Sequence, residues 1–436
     1  VKLHGTMTIN AKGHLEIGNC DVVDLANQYG TPLYVIDEKH FRDNCRQYYN
    51  AFTEQSGSKV LYASKALLTT AICRIIHSEG LGLDVVSGGE IHTALKADYP
   101  MEKVFFHGNN KTLAELEMAL DAKIGRIVVD NYHEMQMLNA IAVEKRQKVD
   151  IHLRITPGVE AHTHEYIQTG QIDSKFGFTL STGKALEAAK KVAEYPQLNL
   201  VGMHCHIGSQ IFELKSYQHA ATVMLEFVEQ VKKEAGIELI ELNLGGGFGI
   251  YYTAEDEPAD IKEYADLVVS TVKDKAQELG LVEPQIFVEP GRSIAGTAGT
   301  TLYTIGSTKE IENVRKYVAV DGGMTDNIRP ALYQAKYEAM IANKGNEPAA
   351  EVVSITGKCC ESGDMLIWDI ELPKAEAGDI LAVSSTGAYG YTMSNNYNRL
   401  TRPGMVLVYE GNSELIVRPE TYEDLTAKEI IPERLK

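Results

Sequence analysis

KVLYASK (residues 59–65), LGLDVVS (81–87), KVFFHG (103–108), RIVVDN (126–131), VDIHLRITP (149–157), LNLVGMHCHIG (198–208), ELIELNLGG (238–246) and QIFVEPG (285–291) are eight short β-rich runs. Between them lie longer amphipathic stretches such as GGEIHTALKA and TLAELEMALDA. Alternation of this kind is the pattern of repeated β/α units on a parallel sheet. Eight units favour a closed (β/α)8 barrel over an open doubly wound sheet.

Working outward, the texture changes beyond about residue 295. TTLYTIGSTKEI, KYVAVDGG, EVVSITG, ILAVSSTG, GMVLVYEG and SELIVRP follow one another without long helices between them, which predicts a β domain, a sandwich or barrel. The opening MTINAKGHLEIGN resembles a hairpin that could join it. The expected division is a barrel over residues 36–292 and a β domain built from 1–35 and 293–436, the latter supplying substrate and interface residues.

A chain of 436 residues with 44% apolar residues is long enough for two such cores. Its net charge of −18 argues against sequence-independent binding to nucleic acid or to an anionic membrane, both of which need basic patches. Six cysteines without CxxC pairs suit a reducing cytoplasm, and no apolar run is long enough to span a bilayer.

A barrel places chemistry at the C-terminal ends of its strands, and the unusual residues stand there: Lys65, His107, His206, the Gly245, Gly246 and Gly247 cluster, and Glu289. An ammonium at the end of an apolar strand either reaches solvent or is used by the chemistry. Glycines directly after a strand allow a tight turn or let backbone N–H groups approach an anion, and EPGRS adds Gly291 and Arg292 on the next strand, which favours the anion. Alternation puts His204 and His206 on one face with Cys205 opposite. They could be hydrogen-bonded, could form a metal pair, or could lay an imidazole on a cofactor ring; no third metal ligand stands at suitable spacing, so no metal is expected. In GKCCESGD, Cys360 sits in a polar turn with Glu361 and Asp364, as a proton donor or a packing residue. TGAYGYTMSNNYN reads as an ordered functional or interface loop.

YASKA, DVVSGGE, HCHIGSQ, LNLGGGFG, VEPGRS, CESGD and GAYGY, in this order over about residues 30–420, resemble the fold-type III pyridoxal phosphate decarboxylases. The resemblance implies a barrel of the alanine racemase type followed by a β domain, in a homodimer with shared active sites. It makes Lys65 the Schiff-base lysine, with His206 stacked on the ring and Glu289 paired with the ring nitrogen. Ser209, Gly245, Gly246, Gly247, Pro290, Gly291, Arg292 and Tyr389 match positions around the phosphate or its approach, and Asp84 a polar residue near the cofactor. In DGGMTDNIRPALY, Arg329 and Tyr333 match contacts to a substrate carboxylate, a role shared with Arg292 and Tyr389. Cys360 matches the proton donor, and Glu361 and Ser362 match groups that read the substrate's far amino end, all from the neighbouring subunit. One departure is visible: Ala66 and Leu67 follow the lysine where relatives commonly have Asn two residues on.

The activity implied is α-decarboxylation, and a substrate with both a distal carboxylate and a distal amine would use Arg329 and Glu361 together. That favours meso-diaminopimelate, giving L-lysine and CO2. The rivals are a sister decarboxylase of ornithine, arginine or carboxynorspermidine, a racemase on the same plan, and a non-catalytic homologue that only carries cofactor.

Overall fold

Turn residues shape the start of the chain. In a computed structural model describing residues 1–159 and 173–436, β1 (Thr8–Ile9) and β2 (Leu15–Ile17) pair antiparallel across Lys12 and Gly13, and β3 (Cys20–Asp21) returns along β2. The hairpin is therefore present but forms its own three-stranded sheet. The chain segregates into two compact units, one of Val1–Phe41, Tyr251–Asp256 and Ala295–Lys436, the other of Arg42–Ile250 and Glu257–Ile294.

In the first unit the long strand β14 (Gly299–Ile311) is the spine. Along Gly299–Leu302 it pairs with β4 (Leu33–Asp37), a strand the sequence reading overlooked, and along Ile305–Ile311 with β15 (Arg315–Val320). The main path then runs outward through β17 (Glu351–Thr356) to β18 (Met365–Leu372), and through β4 to β20 (Gly404–Tyr409) and β21 (Asn412–Val417). Two further strands, β16 (Ala339–Ile341) and β19 (Ile380–Val383), complete the nine. The hairpin's Leu15 and Ile17 share a core with Leu33, Val35, Leu302, Val406 and Val408. Its place in this unit comes from burial and not from strand pairing.

The second unit is the barrel. Strands β5 (Lys59–Ala63), β6 (Gly82–Val85), β7 (Val104–Phe106), β8 (Arg126–Val129), β9 (Val149–Thr156), β11 (Leu198–His204), β12 (Glu241–Asn243) and β13 (Gln285–Val288) correspond to the eight runs. All pairs are parallel, and the β13–β5 pairing closes the ring; β10 (Phe178–Thr179) adds a short edge on β9. Leu61 of β5, Phe105 of β7, Val128 of β8 and Phe287 of β13 form a buried apolar cluster. Below it Arg126 grips Glu241 with two hydrogen bonds of 2.9 and 2.6 Å, and His152 Nε2 lies 2.7 Å from the same carboxylate.

Local chemistry makes each strand hand over to a helix at the mouth. Thr69, Ser87, Thr112 and Asn131 cap the helices Thr70–Ser78, Gly88–Lys96, Leu113–Asp121 and Tyr132–Lys145, each accepting a backbone N–H of the first turn. Thr112 and Glu115 complete a reciprocal capping box. These caps fix where the βα loops leave the strands.

Candidate active site

Five strand ends carry the centre of the barrel mouth. Glu289, directly after β13, is only 6% exposed, so its charge has to be met from within the protein. Asn243 Nδ2 donates to Oε1 at 2.6 Å, His204 Nε2 lies 3.1 Å from Oε2, and His107 Nε2 lies 2.8 Å from Oε1. Burial alone would push the Glu289 carboxyl up, but the charges and hydrogen bonds of His107 and His204 outweigh it and hold the group well below the usual carboxylate range. Asp84, at the end of β6, lies 3.7 Å from the same His107 Nε2 and is raised to about 7 by burial. Burial also lowers His204, to about 3, and takes His206 well below the ordinary imidazole value, with Lys65 and Arg154 adding to the effect on His206.

The expected pairing of His204 with His206 on one strand face is corrected here: β11 ends at His204, which turns to Glu289, while His206 Nδ1 accepts the Gly246 N–H at 3.3 Å. A different group converges here: atoms of His107, His204 and Glu289 lie within 4.8 Å of one another, and His206 is not among them. Asn243 and His204 hydrogen-bond the two carboxylate oxygens and His107 lies in ion-pair contact with one of them, so the three groups account for the arrangement without a metal. His107 was noticed in the sequence only for its place at a strand end, and Asn243 not at all; its one signal is a polar residue inside LNLGGG, two places before the first glycine.

Beside the triad the loops after β12 and β13 lie edge to edge, the Glu289 N–H donating to Gly245 O at 2.8 Å and the Ala63 N–H to Pro290 O at 3.0 Å. A Cβ on Gly246 would stand 2.0 Å from Glu289 O, and one on Gly247 2.2 Å from Gly208 O. These glycines are thus required by backbone packing itself, which produces a cradle lined by main chain. At its rim Arg292 Nη2 donates to Ser209 Oγ at 2.9 Å, putting a guanidinium and a hydroxyl together. Lys65, in a short 3-10 turn after β5, is exposed between buried Ser64 and Ala66. Tyr62 OH pins that turn by donating to Leu67 O at 2.8 Å.

In the other unit, Arg329 opens a short helix and is 8% exposed. Its Nη1 donates to Tyr337 OH at 2.5 Å, and its guanidinium faces the rings of Tyr252 at 5.0 Å and Tyr389 at 5.9 Å. Among the described residues no carboxylate reaches it. Tyr389 is held at φ +62°, a left-handed conformation costly for a tyrosine. Tyr333, on the same helix, is half-buried. Cys360, Glu361 and Ser362 form an exposed turn. Buried Asp364 anchors it, accepting the N–H groups of Met324 at 2.6 Å and Cys359 at 2.8 Å, while the Cys360 N–H donates to Asn398 Oδ1 at 2.7 Å. Burial and Asp364 push the Cys359 thiol up to about 12, so of the two cysteines the exposed Cys360 is the one available for chemistry.

A lysine at a barrel mouth, a buried ionised acid and a main-chain cradle beside an arginine are the donor set of a pyridoxal phosphate enzyme. Residues 38–296 match the family model described as pyridoxal-dependent decarboxylase, pyridoxal binding domain. The chain is 55% identical to the diaminopimelate decarboxylase of Bacillus methanolicus over 95% of its own length and 96% of that protein's. With that of Bacillus subtilis (strain 168) it shares 53% identity over 97% of each. The crystal structure of diaminopimelate decarboxylase from M. jannaschii in complex with L-lysine superposes with a TM-score of 0.92 at 39% identity, covering 99% of both chains. The chain belongs to the diaminopimelate decarboxylases, within the pyridoxal-dependent decarboxylase family. It is a lyase, and pyridoxal phosphate is its cofactor. The residues present fit that group: the cradle offers backbone with Arg292 and Ser209 for a phosphate, and Glu289 offers an ionised oxygen for a ring nitrogen. Among the described residues no helix is long and apolar enough to cross a membrane.

Proposed function

We propose that this chain removes the carboxyl group from one end of meso-diaminopimelate and releases L-lysine and CO2, with pyridoxal phosphate carried on Lys65. The observation that carries the substrate is Arg329: a buried guanidinium framed by Tyr252, Tyr337 and Tyr389, with no carboxylate of its own among the described residues. A buried cation of this kind is stabilised by an incoming anion. The distal carboxylate of diaminopimelate supplies one, whereas ornithine and arginine do not. Relatives solved from M. jannaschii and Helicobacter pylori hold L-lysine, which agrees with that reading.

The cofactor, when bound, supplies the sink for the electron pair left by the departing carboxylate. The chain's own residues do the rest. Gly245, Gly246, Gly247, Gly291, Arg292 and Ser209 hold the phosphate, with Pro290 and Tyr389 at its approach and Asp84 beside the cofactor. Glu289 stays ionised so that the ring nitrogen keeps its proton, and His206 packs on the ring. Tyr333 and Arg292 assist Arg329 in orienting the carboxylates. Cys360 delivers the proton that replaces CO2, and Glu361 and Ser362 take the distal ammonium. These last three come from a second copy of the chain, in a cytoplasmic homodimer.

The test is release of CO2 and L-lysine from meso-diaminopimelate by the purified protein with pyridoxal phosphate, run beside L-ornithine, L-arginine and L-lysine. Equimolar lysine and CO2 from meso-diaminopimelate alone is expected. Turnover of another amino acid in its absence would discard the substrate assignment, and inactivity on all four would discard the enzyme reading.

A further inference from the structure

We infer that His107 is a positioning residue for the ring-nitrogen site: clasped between Asp84 and Glu289, it keeps Glu289 a carboxylate aimed at the bound cofactor. The inference rests on the role proposed above for Glu289. Among the described residues three groups reach the Glu289 oxygens, and their charge distinguishes them. Asn243, at 2.6 Å, is an amide and brings no charge. His204, at 3.1 Å, hydrogen-bonds the other oxygen, and burial disfavours its charged form. His107, at 2.8 Å, is the group of the three that can bring a full positive charge.

What keeps His107 charged in a site where it is itself only 4% exposed is the second acid, Asp84, 3.7 Å from the same nitrogen. Burial lowers the imidazole, but Asp84 and Glu289 together more than reverse this and raise it above its ordinary value. Among the described residues the groups facing it are Asp84 on β6, Glu289 after β13, His204 at the end of β11, Arg154 and His152 on β9, Asp130 after β8 and Glu90 on the helix after β6. Arg154 and His204 oppose the proton and the four carboxyl groups favour it. Asp84 therefore acts on the ring nitrogen through His107.

The test reads the histidine itself. In full-length protein loaded with pyridoxal phosphate and labelled with 15N-histidine, the signal absent from His107→Gln identifies His107. In the unsubstituted protein both ring nitrogens should stay protonated above the pH at which an exposed imidazole loses its proton. Asp84→Asn should lower that midpoint by at least about one unit, a tenfold change in protonation. His107→Gln should also shift the pH dependence of the cofactor's absorption band. An ordinary imidazole midpoint unaffected by Asp84→Asn would overturn the inference. If His107→Gln does not fold, Asp84→Asn carries the same test: Asp84 lies against His107, so the histidine signal whose midpoint falls in that variant is that of His107. These readings are independent of turnover: a protein that fails on meso-diaminopimelate but shows the shift refutes the substrate, while one that turns over without it refutes the clasp.

Discussion

Arg329 shows how one side chain can encode a substrate. Its guanidinium is surrounded by tyrosines that can accept hydrogen bonds and present ring faces but cannot neutralise it. A residue kept for stability alone would be expected to have a carboxylate, as Arg126 has in Glu241. Arg329→Gln should therefore lower kcat/KM for meso-diaminopimelate by about 2–5 kcal/mol, the range for removing one partner of a buried charge contact. The loss should fall mainly on KM, with the thermal midpoint of the ligand-free protein little changed. Steady-state kinetics and a melting curve check both, and an unfolded variant or an unchanged KM would return Arg329 to a structural role.

At the scale of the element, the barrel keeps stability and chemistry at opposite ends of its strands. The lower end of β12 carries Glu241, whose carboxyl falls to about 2: burial opposes the shift, but the hydrogen bonds from Arg126 and His152 prevail. A depressed carboxyl contributes stability that is complete above its ordinary value and lost as pH falls towards 2. Glu241→Gln should cost about 3 kcal/mol at neutral pH, by leaving Arg126 and His152 without their anion. Urea unfolding should show that difference constant from neutral pH to about 5 and shrinking below about 4.5.

Much of this arrangement was legible in the sequence, because strand-to-helix alternation and polar residues at strand ends are local signals. All eight barrel strands fall inside the runs that period and composition mark out. β4, β16 and β18 were missed for different reasons. LYVID is apolar up to its final Asp37 and buried at every position, so it shows no alternation, and AMI is too short to carry a period. MLIWDIEL pairs with β17 through irregular register, which breaks the alternation of its faces. The clasp around Glu289 was invisible for a stronger reason. Asp84, His107, His204, Asn243 and Glu289 come from five strands, and only barrel closure brings them together.

The whole molecule is where the account of catalysis reaches beyond one chain. Cys360, Glu361 and Ser362 are exposed on a turn fixed by Asp364, a poor place to exclude water unless another surface covers it. In the proposed homodimer each site takes Lys65 from one copy and Cys360 from the other. Lys65→Ala and Cys360→Ala proteins, each inactive or nearly so, should then complement when unfolded and refolded together. Random pairing makes half the dimers mixed, and each mixed dimer holds one intact site of two, so about a quarter of the unsubstituted activity should return. No recovery, with dimers confirmed by sedimentation, would place both residues in one copy.

The account depends most on Lys65 holding the cofactor at the mouth, with Glu289 as the acid of the same site. Borohydride reduction of the protein loaded with pyridoxal phosphate, followed by proteolysis and mass spectrometry, locates the attachment directly. The predicted result is a single phosphopyridoxyl group on the peptide containing Tyr62, Ala63, Ser64 and Lys65, absent from Lys65→Ala. A label on another lysine, or none in a protein that still decarboxylates, would contradict it.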